Sequence, residues 1–435
     1  MKNPSNKTCF ILFLVISSMV LVSCKKLPEG IPSNSTGISP GGNTDSNSGK
    51  TDGTVGTLPP VETLPKNAPN YLPAFAGQTR VIGLKTAKAF QSTILTSELR
   101  APWGIVSLPD GRFLVTEKAA GMMRIVSPTG TVSAAIMGIP TVNSGNQGGL
   151  LGLCIDPQFA ANRMVYWVFS ENVTGGTTTS VAKGRLANNE TSLENVSIIY
   201  RASPSSNSSG HYGGRIIFDA TGNLLVSIGE RLNGNTRQMA QSVTASLGKV
   251  IRITTQGEPS PGNPKFTGNG ALPELYSMGH RNPQGLALHP ISGDVWLGEF
   301  GPRGGDEINR IQAAHNYGWP TITYGLEYSG QPVGAGIQQQ VGLEQPVYYW
   351  DPVVSPSGMT FYTGDLIPEW KNNLFVACLS GMHLVRLVIE NNKVIGEERL
   401  LANQNQRFRD LTVGRDGALY TITDQGRLYK IGLNN

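Results

Sequence analysis

Six short apolar strands, each opened by a Gly or Asn turn and most of them closed by an acid, constrain this chain more than any other feature. They run DGRFLVTE (Asp110 to Glu117), NRMVYWVFSE (Asn162 to Glu171), TGNLLVSIGE (Thr221 to Glu230), SGDVWLGE (Ser292 to Glu299), KNNLFVACLS (Lys371 to Ser380) and DGALYTITD (Asp416 to Asp424). Their turn residues fall at 111, 162, 222, 293, 373 and 417, at intervals of 51, 60, 71, 80 and 44. A propeller blade takes about 40–50 residues as four strands and sends surplus length into loops on one face. A sandwich explains the strands but not six similar units spread along the chain. The expected fold is therefore all-β: a single six-bladed β-propeller of four-stranded antiparallel blades over residues 75–435, its last strand completing an early blade. Composition agrees, because 15% charged residues with 53 Gly and 28 Pro favour short strands and many turns. Helical signal is modest around Leu84 to Leu95, and Gly364 to Leu374 reads as a loop.

The N-terminus has a different character. Lys2 precedes an apolar run that ends at Leu21-Val22-Ser23-Cys24, the pattern of a secretory signal closing on a lipobox-like cysteine. Residues 1–23 are expected to be removed and Cys24 to be lipidated, which places the protein at a bacterial cell envelope, lipid-anchored and facing the periplasm or the outer membrane. Removing residues 1–23, with Lys2 and Lys7 and no acid, lowers the formal charge from +5 to +3. That excess gives no reason to expect nucleic acid. Residues 24–74 are rich in Ser, Gly, Asn, Thr and Pro and are expected to form a disordered tether. Their SGKT lacks the glycine and strand of a P-loop. Of the four cysteines, Cys154 and Cys378 lie in apolar strand-like runs and read as separate buried thiols.

Chemistry concentrates in three turns. In GHRNPQG, Pro283 stiffens its surroundings, so Arg281, Asn282 and Gln284 present a fixed set of donors and acceptors suited to a flat, oxygen-rich, anionic ligand. In EFGPRGGDEIN, a Gly- and Pro-rich turn exposes carbonyls beside Asp306 and Glu307, oxygen ligands of the kind Ca²⁺ takes, without an EF-hand pattern. In GHYGGRIIFD, His211 stands between glycines before a strand, the best context among the five histidines for an accessible general base. Glu230, closing the next strand, could fix its tautomer.

Read in order, PWGIVSLPDGRFLVTEKAAGMMRIV, NQGGLLGLCIDPQFAANRMVYWVF, HYGGRIIFDATGNLLVSIGE, GKVIRI, GHRNPQGLALHP, EFGPRGGDEIN, NYGWP and RFRDLTVGRDGALYTITD resemble the glucose/sorbosone dehydrogenase family, over nearly everything from about residue 95 to 430. GPRGGDEIN is most similar to the aldose sugar dehydrogenase branch. The resemblance implies a six-bladed propeller enzyme that uses pyrroloquinoline quinone (PQQ) and calcium to oxidise aldoses at C1 to the lactone. It implies that His211 is the general base and that Arg281 stabilises the developing oxyanion, with Asn282 and Gln284 beside it. Gly301 and Pro302 would give carbonyls to the cofactor calcium. Gln147 and Glu230 would line the sugar side, Arg407 and Arg409 would clamp the PQQ carboxylates, and Trp350 would sit near the cofactor plane. Glu307, the Tyr317 carbonyl and Glu327 match a second, structural calcium site. One departure stands out: the family usually has a lysine on the strand after LFV, where this chain has Ser380 or its neighbours. Two other readings stand beside this one, a non-catalytic sugar- or protein-binding propeller and a calcium-dependent propeller lactonase. A binding module has no use for a proton acceptor facing a carboxylate clamp, and a lactonase leaves the two Arg clamps unexplained. The preferred aldose and the electron acceptor are not written in the sequence.

Overall fold

The computed structural model describes residues 58–433; the signal, Cys24 and the first part of the expected tether lie outside them. Strand β1 (Phe90–Thr96) comes first, and six blades follow in chain order. Blade one is β2 (Pro102–Ser107), β3 (Phe113–Glu117) and β4 (Met122–Val126); blade two is β5 (Leu150–Ile155), β6 (Met164–Val173), β7 (Gly176–Leu186) and β8 (Leu193–Arg201). Blade three is β9 (Ile216–Phe218), β10 (Leu224–Ile228), β11 (Lys249–Ile253) and β12 (Leu275–Met278); blade four is β13 (Pro283–Leu288), β14 (Val295–Glu299), β15 (Asp306–Ile311) and β16 (Tyr348–Trp350). Blade five is β17 (Pro356–Phe361), β18 (Leu374–Cys378), β19 (Leu384–Glu390) and β20 (Lys393–Leu400). Blade six is β21 (Phe408–Val413), β22 (Leu419–Thr423) and β23 (Leu428–Leu433), with β1 as its outer strand.

The six turn-and-strand units of the sequence are the second strands of the six blades: β3, β6, β10, β14, β18 and β22. Most of the turns that open them need a left-handed residue, which is why Gly111, Gly222, Gly293 and Gly417 stand there. The ring closes in the opposite sense to the expectation. The first strand completes the last blade, with Phe90 opposite Leu433 and Ile94 opposite Tyr429. Blade one has three strands, and isolated bridges from Met123 to Ile136 and from Val126 to Val132 stand where a fourth would run.

Two expectations need correction. Leu84 to Leu95 is not helical: the Leu84 N–H bonds the Glu397 carbonyl, Thr86 bonds the Glu398 carboxylate, and β1 begins at Phe90. A stretch this short gains little from helix formation alone, so pairing with β23 decides its state. Nor does the tether reach residue 74. From Leu58 onward the chain lies along blades four and five: Asn67 and Ala68 donate to the buried Asp351 carboxylate at 2.8–2.9 Å, Gln78 to the Pro346 carbonyl at 2.9 Å, and Glu62 pairs with Arg399 at 2.8 Å. Polar composition misled because this segment is held by hydrogen bonds to the propeller more than by an apolar face.

Apolar residues fill the seams between blades. Tyr166, Val168, Ile216, Val226 and Ile251 join blades two and three, and Trp296, Ile308, Met359, Val376 and Val385 join four and five. Cys154 and Cys378 are free and buried in different blades, as expected. The inner strands β2, β5, β9, β13, β17 and β21 ring a central channel. Its waist is crossed by Arg215 and Asp410, paired at 2.6 Å, with Arg215 also stacked 4.4 Å from the Trp103 ring.

Candidate functional site

Because neighbouring strands are antiparallel, every inner strand starts, and every second strand ends, on the same face. Gln147, His211, Arg281, Asn282, Ser355 and Arg407 immediately precede or stand near the starts of inner strands, while Lys118, Glu230, Glu299, Ser380 and Asp424 stand at or just beyond the ends of second strands. The topology therefore gathers residues from all over the sequence at one mouth of the channel.

His211 and Glu230 form its centre. His211 Nδ1 lies 2.7 Å from Glu230 Oε1, and both side chains are buried. A carboxylate oxygen only accepts, so Nδ1 carries the ring proton and Nε2 keeps its lone pair. His211 itself is left-handed (φ +45) and its N–H donates to Gln147 Oε1 at 2.9 Å. The facing chains touch closely: a Cβ at Gly229 would stand 2.3 Å from the His211 carbonyl oxygen. Burial and the nearby Arg281 charge lower the His211 pKa to about 4, with Glu230 opposing them. The imidazole is thus neutral, and a proton acceptor, throughout the neutral range.

The Arg281–Asn282–Pro283–Gln284 turn lies against this pair. The Arg281 carbonyl accepts from the Glu230 N–H, and Asn282 Oδ1 accepts from the Gly213 N–H at 3.1 Å. Gln284 Oε1 accepts from Arg409 at 2.9 Å, and Arg409 and Arg407 both pair with Asp424, at 2.8 and 2.9 Å. Three buried polar atoms here lack a protein partner: Glu230 Oε2, Asn282 Nδ2 and Arg281 Nε. Unsatisfied groups of this kind are costly, and an acceptor of the pair with two donors beside it suits a ligand rich in hydroxyl and other oxygen groups.

The Gly301–Pro302 turn is held from below. Asp306 accepts from the N–H groups of Gly301, Val354 and Ser355 at 2.6–2.8 Å, and burial still pushes its carboxyl up to about 7. The Gly301 carbonyl accepts from the Arg281 guanidinium at 2.7 Å. Behind it, Glu299 and Glu307 share the Asn309 amide, at 3.2 and 3.1 Å, in a small cavity lined also by Tyr317 and Trp319. Burial and the charge of Glu299 raise the Glu307 carboxyl well above the ordinary range.

Two residues of the expected set lie elsewhere. Trp350 ends the outermost strand of blade four, and its indole turns into the seam with blade five, where Nε1 donates to Glu397 at 3.2 Å. The Glu327 carboxylate is engaged by the Arg237 guanidinium rather than by the Glu307 cavity. Among the described residues no group of three or more His, Cys, Asp or Glu is arranged to hold a metal. Ser380 bonds the Ser355 hydroxyl at 2.7 Å. Sequence reading passed over Glu299, Asp306 as the brace of its own turn, and Lys118, although Glu299 carried the strand-closing signal that marked Glu230. A second concavity lies at the opposite mouth, lined by Ile155, Phe218, Leu288 and Phe361, and the Arg215–Asp410 pair at its base is already satisfied in charge.

A six-bladed ring that buries a His–carboxylate pair among unsatisfied polar atoms at one channel mouth defines a propeller with a small-molecule site. The chain belongs to the glucose/sorbosone dehydrogenase family, whose model matches residues 99–430. It is 38% identical to the aldose sugar dehydrogenase YliI of Escherichia coli (strain K12) over 346 residues, 79% of this chain and 92% of that protein. The apo-form crystal structure of the soluble aldose sugar dehydrogenase from Escherichia coli superposes with a TM-score of 0.75 at 37% identity, covering 80% of this chain and 100% of that one. The PQQ-bound form of aldose sugar dehydrogenase from Streptomyces coelicolor gives 0.65 at 26% identity, covering 80% and 99%.

Proposed function

We propose that the protein oxidises aldoses at C1 to the lactone with PQQ and Ca²⁺. The observation that carries this reading is the buried His211–Glu230 pair with its free Nε2, ringed by the unsatisfied atoms of Glu230, Asn282 and Arg281. His211 Nε2 takes the proton of the anomeric hydroxyl, and Glu230 holds the ring and steadies the imidazolium that forms. Gln147 and Glu230 line the sugar side. Bound PQQ would supply the two-electron acceptor for the C1 hydride. Asn282, Gln284, Arg407 and Arg409 would hold it, Arg281 would meet negative charge developing on it, and the carbonyls of Gly301 and Pro302 would hold the calcium. The test is to incubate the purified full-length chain with PQQ and Ca²⁺ and assay a panel of aldoses with an artificial electron acceptor. Oxidation that needs both supports the reading. Lactone hydrolysis without PQQ, or sugar binding without turnover, sinks it.

Calcium and PQQ should bind interdependently, since the Gly301–Pro302 turn would hold the ion and the ion the cofactor. Chelation is expected to weaken PQQ affinity at least about tenfold, within the usual range of coupling between sites, and to remove activity with it. Equilibrium dialysis of PQQ with and without chelator measures this, and tight binding unaffected by thorough chelation refutes the assignment of the turn.

The envelope placement rests on Leu21-Val22-Ser23-Cys24, outside the described residues. We propose lipid anchoring through Cys24. Full-length protein should fractionate with membranes and Cys24→Ala should abolish lipid labelling; a mature N-terminus other than Cys24 would indicate ordinary secretion.

A further inference from the structure

Where blade six meets blade one, the same mouth of the channel carries a further cation beside Arg407 and Arg409. Lys118 directly follows the acid that closes β3, and its Nζ donates to the Asn146 carbonyl at 3.0 Å, next to Gln147. Its backbone is tied on both sides, the N–H to the Ala101 carbonyl and the carbonyl to the Leu150 N–H, each at 3.0 Å. Gly149 makes room for it, since a Cβ there would stand 2.3 Å from the Lys118 carbonyl oxygen and 2.6 Å from its Cγ. Arg409 reaches towards the same seam from blade six, its guanidinium 5.9 Å from the Trp103 ring of β2, and shares Asp424 with Arg407.

The other carboxylates nearby are already engaged. Asp410 is held by Arg215 at 2.6 Å and the Ile105 N–H at 3.0 Å, and Glu117 by Arg124 at 3.2 Å and the Arg100 N–H at 2.7 Å. Among the described residues, Asp424, already paired with Arg407 and Arg409, is therefore the one carboxylate left to balance Lys118 as well. Burial and then the charge of Arg409 hold the Lys118 ammonium below the ordinary lysine range. Like charges gathered at a partly buried seam are costly until an anion joins them.

We propose that Lys118 is a cofactor-binding residue, which with Arg407 and Arg409 forms a three-cation cradle for the carboxylates of PQQ. It brings from blade one the positive charge that Ser380, in blade five, cannot supply. One backbone carbonyl holds Nζ, and a flexible four-carbon stem lets the ammonium exchange that oxygen for a carboxylate. The inference rests on the PQQ reading above.

The experiment measures PQQ binding to the calcium-loaded full-length chain by quenching of tryptophan fluorescence at two ionic strengths. Wild type, Lys118→Met and Lys118→Arg are each tested with PQQ and with its trimethyl ester, which lacks the carboxylate charges. Lys118→Met should weaken PQQ binding about ten- to hundredfold, the worth of a charge-assisted hydrogen bond, and flatten its salt dependence. Lys118→Arg should bind nearly as wild type, and the ester should bind equally to all three. Wild-type PQQ affinity and salt dependence in Lys118→Met overturn the role of Lys118 alone. An equal loss for the ester also overturns it, tracing the effect to a displaced loop. A wild-type chain that binds no PQQ overturns it together with the reading it rests on.

Discussion

Replacing His211 by Ala should lower kcat for the proposed aldose oxidation by about 10²–10⁴-fold, the span for a positioned acid–base group. The loss should fall on kcat while PQQ affinity barely moves, because the groups assigned to the cofactor are the neighbouring turn, the Arg407–Arg409 pair and the Gly301–Pro302 carbonyls. Glu230→Gln should cost less, since an amide oxygen can still accept the Nδ1–H at 2.7 Å. The pH profile is a second readout. With its pKa lowered from 6.5 to about 4 by burial and Arg281, His211 stays neutral as pH falls through 6.5, so kcat/KM should fall only as pH nears 4. Stability follows the same group differently. An unfolded chain takes up this proton near 6.5 and the folded one resists it, so the contribution is full above pH 6.5 and drains away as pH drops towards 4. A PQQ-loaded His211→Ala enzyme that turns over aldoses at the wild-type rate refutes the proton-acceptor role.

Asp410→Asn should destabilise the fold by about 3–5 kcal/mol, the cost of leaving one member of a buried ion pair without its partner. The Arg215 guanidinium is buried at the channel waist, and among the described residues Asp410 alone balances its charge, through the 2.6 Å contact. The pair is held rather than driving: burial pushes the Asp410 carboxyl above its ordinary range even beside Arg215. Combining Asp410→Asn with Arg215→Met should therefore cost less than the two changes added separately, since the double variant leaves no lone charge. Urea unfolding midpoints of the four proteins measure this, and an Asp410→Asn midpoint equal to wild type shows that the waist does not depend on the pair. Arg215 Nε also donates to the Gln284 carbonyl at 2.9 Å, so loosening the waist should reach the floor of the candidate site.

The blade count was legible because each second strand is announced by a turn that demands a left-handed residue and ends where the chain must present polar groups. Gly222 and Glu230 bracket β10 in that way, and the same bracket places Glu299 at the site. His211, Arg281, Asn282 and Gln284 could be singled out from stiff or glycine-flanked turns alone. What alternation and turn chemistry leave open is how far a residue lies from the axis. Trp350 sits on the correct face yet on the fourth strand, so its indole serves a seam between blades. Glu327 could not be separated from Glu307 because its partner, Arg237, is 90 residues away. The packing of Leu58 to Ala89 was hidden for a related reason: Asn67, Gln78 and Arg80 are polar residues whose partners, Asp351 and Pro346, lie far along the chain.

The pairing of β1 with β23 also sets an order of events. A ribosome delivers Phe90 long before Leu433, so β1 must wait through nearly the whole of synthesis for the strand that will cover its inner edge. A waiting strand that is long and apolar invites pairing with the wrong chain. β1 reads Phe-Gln-Ser-Thr-Ile-Leu-Thr, and all its residues but Thr96 keep some contact with solvent even in the finished ring. Its polar residues give a partially made chain little to stick to, and the ring is complete only once its own last strand has paired with its first.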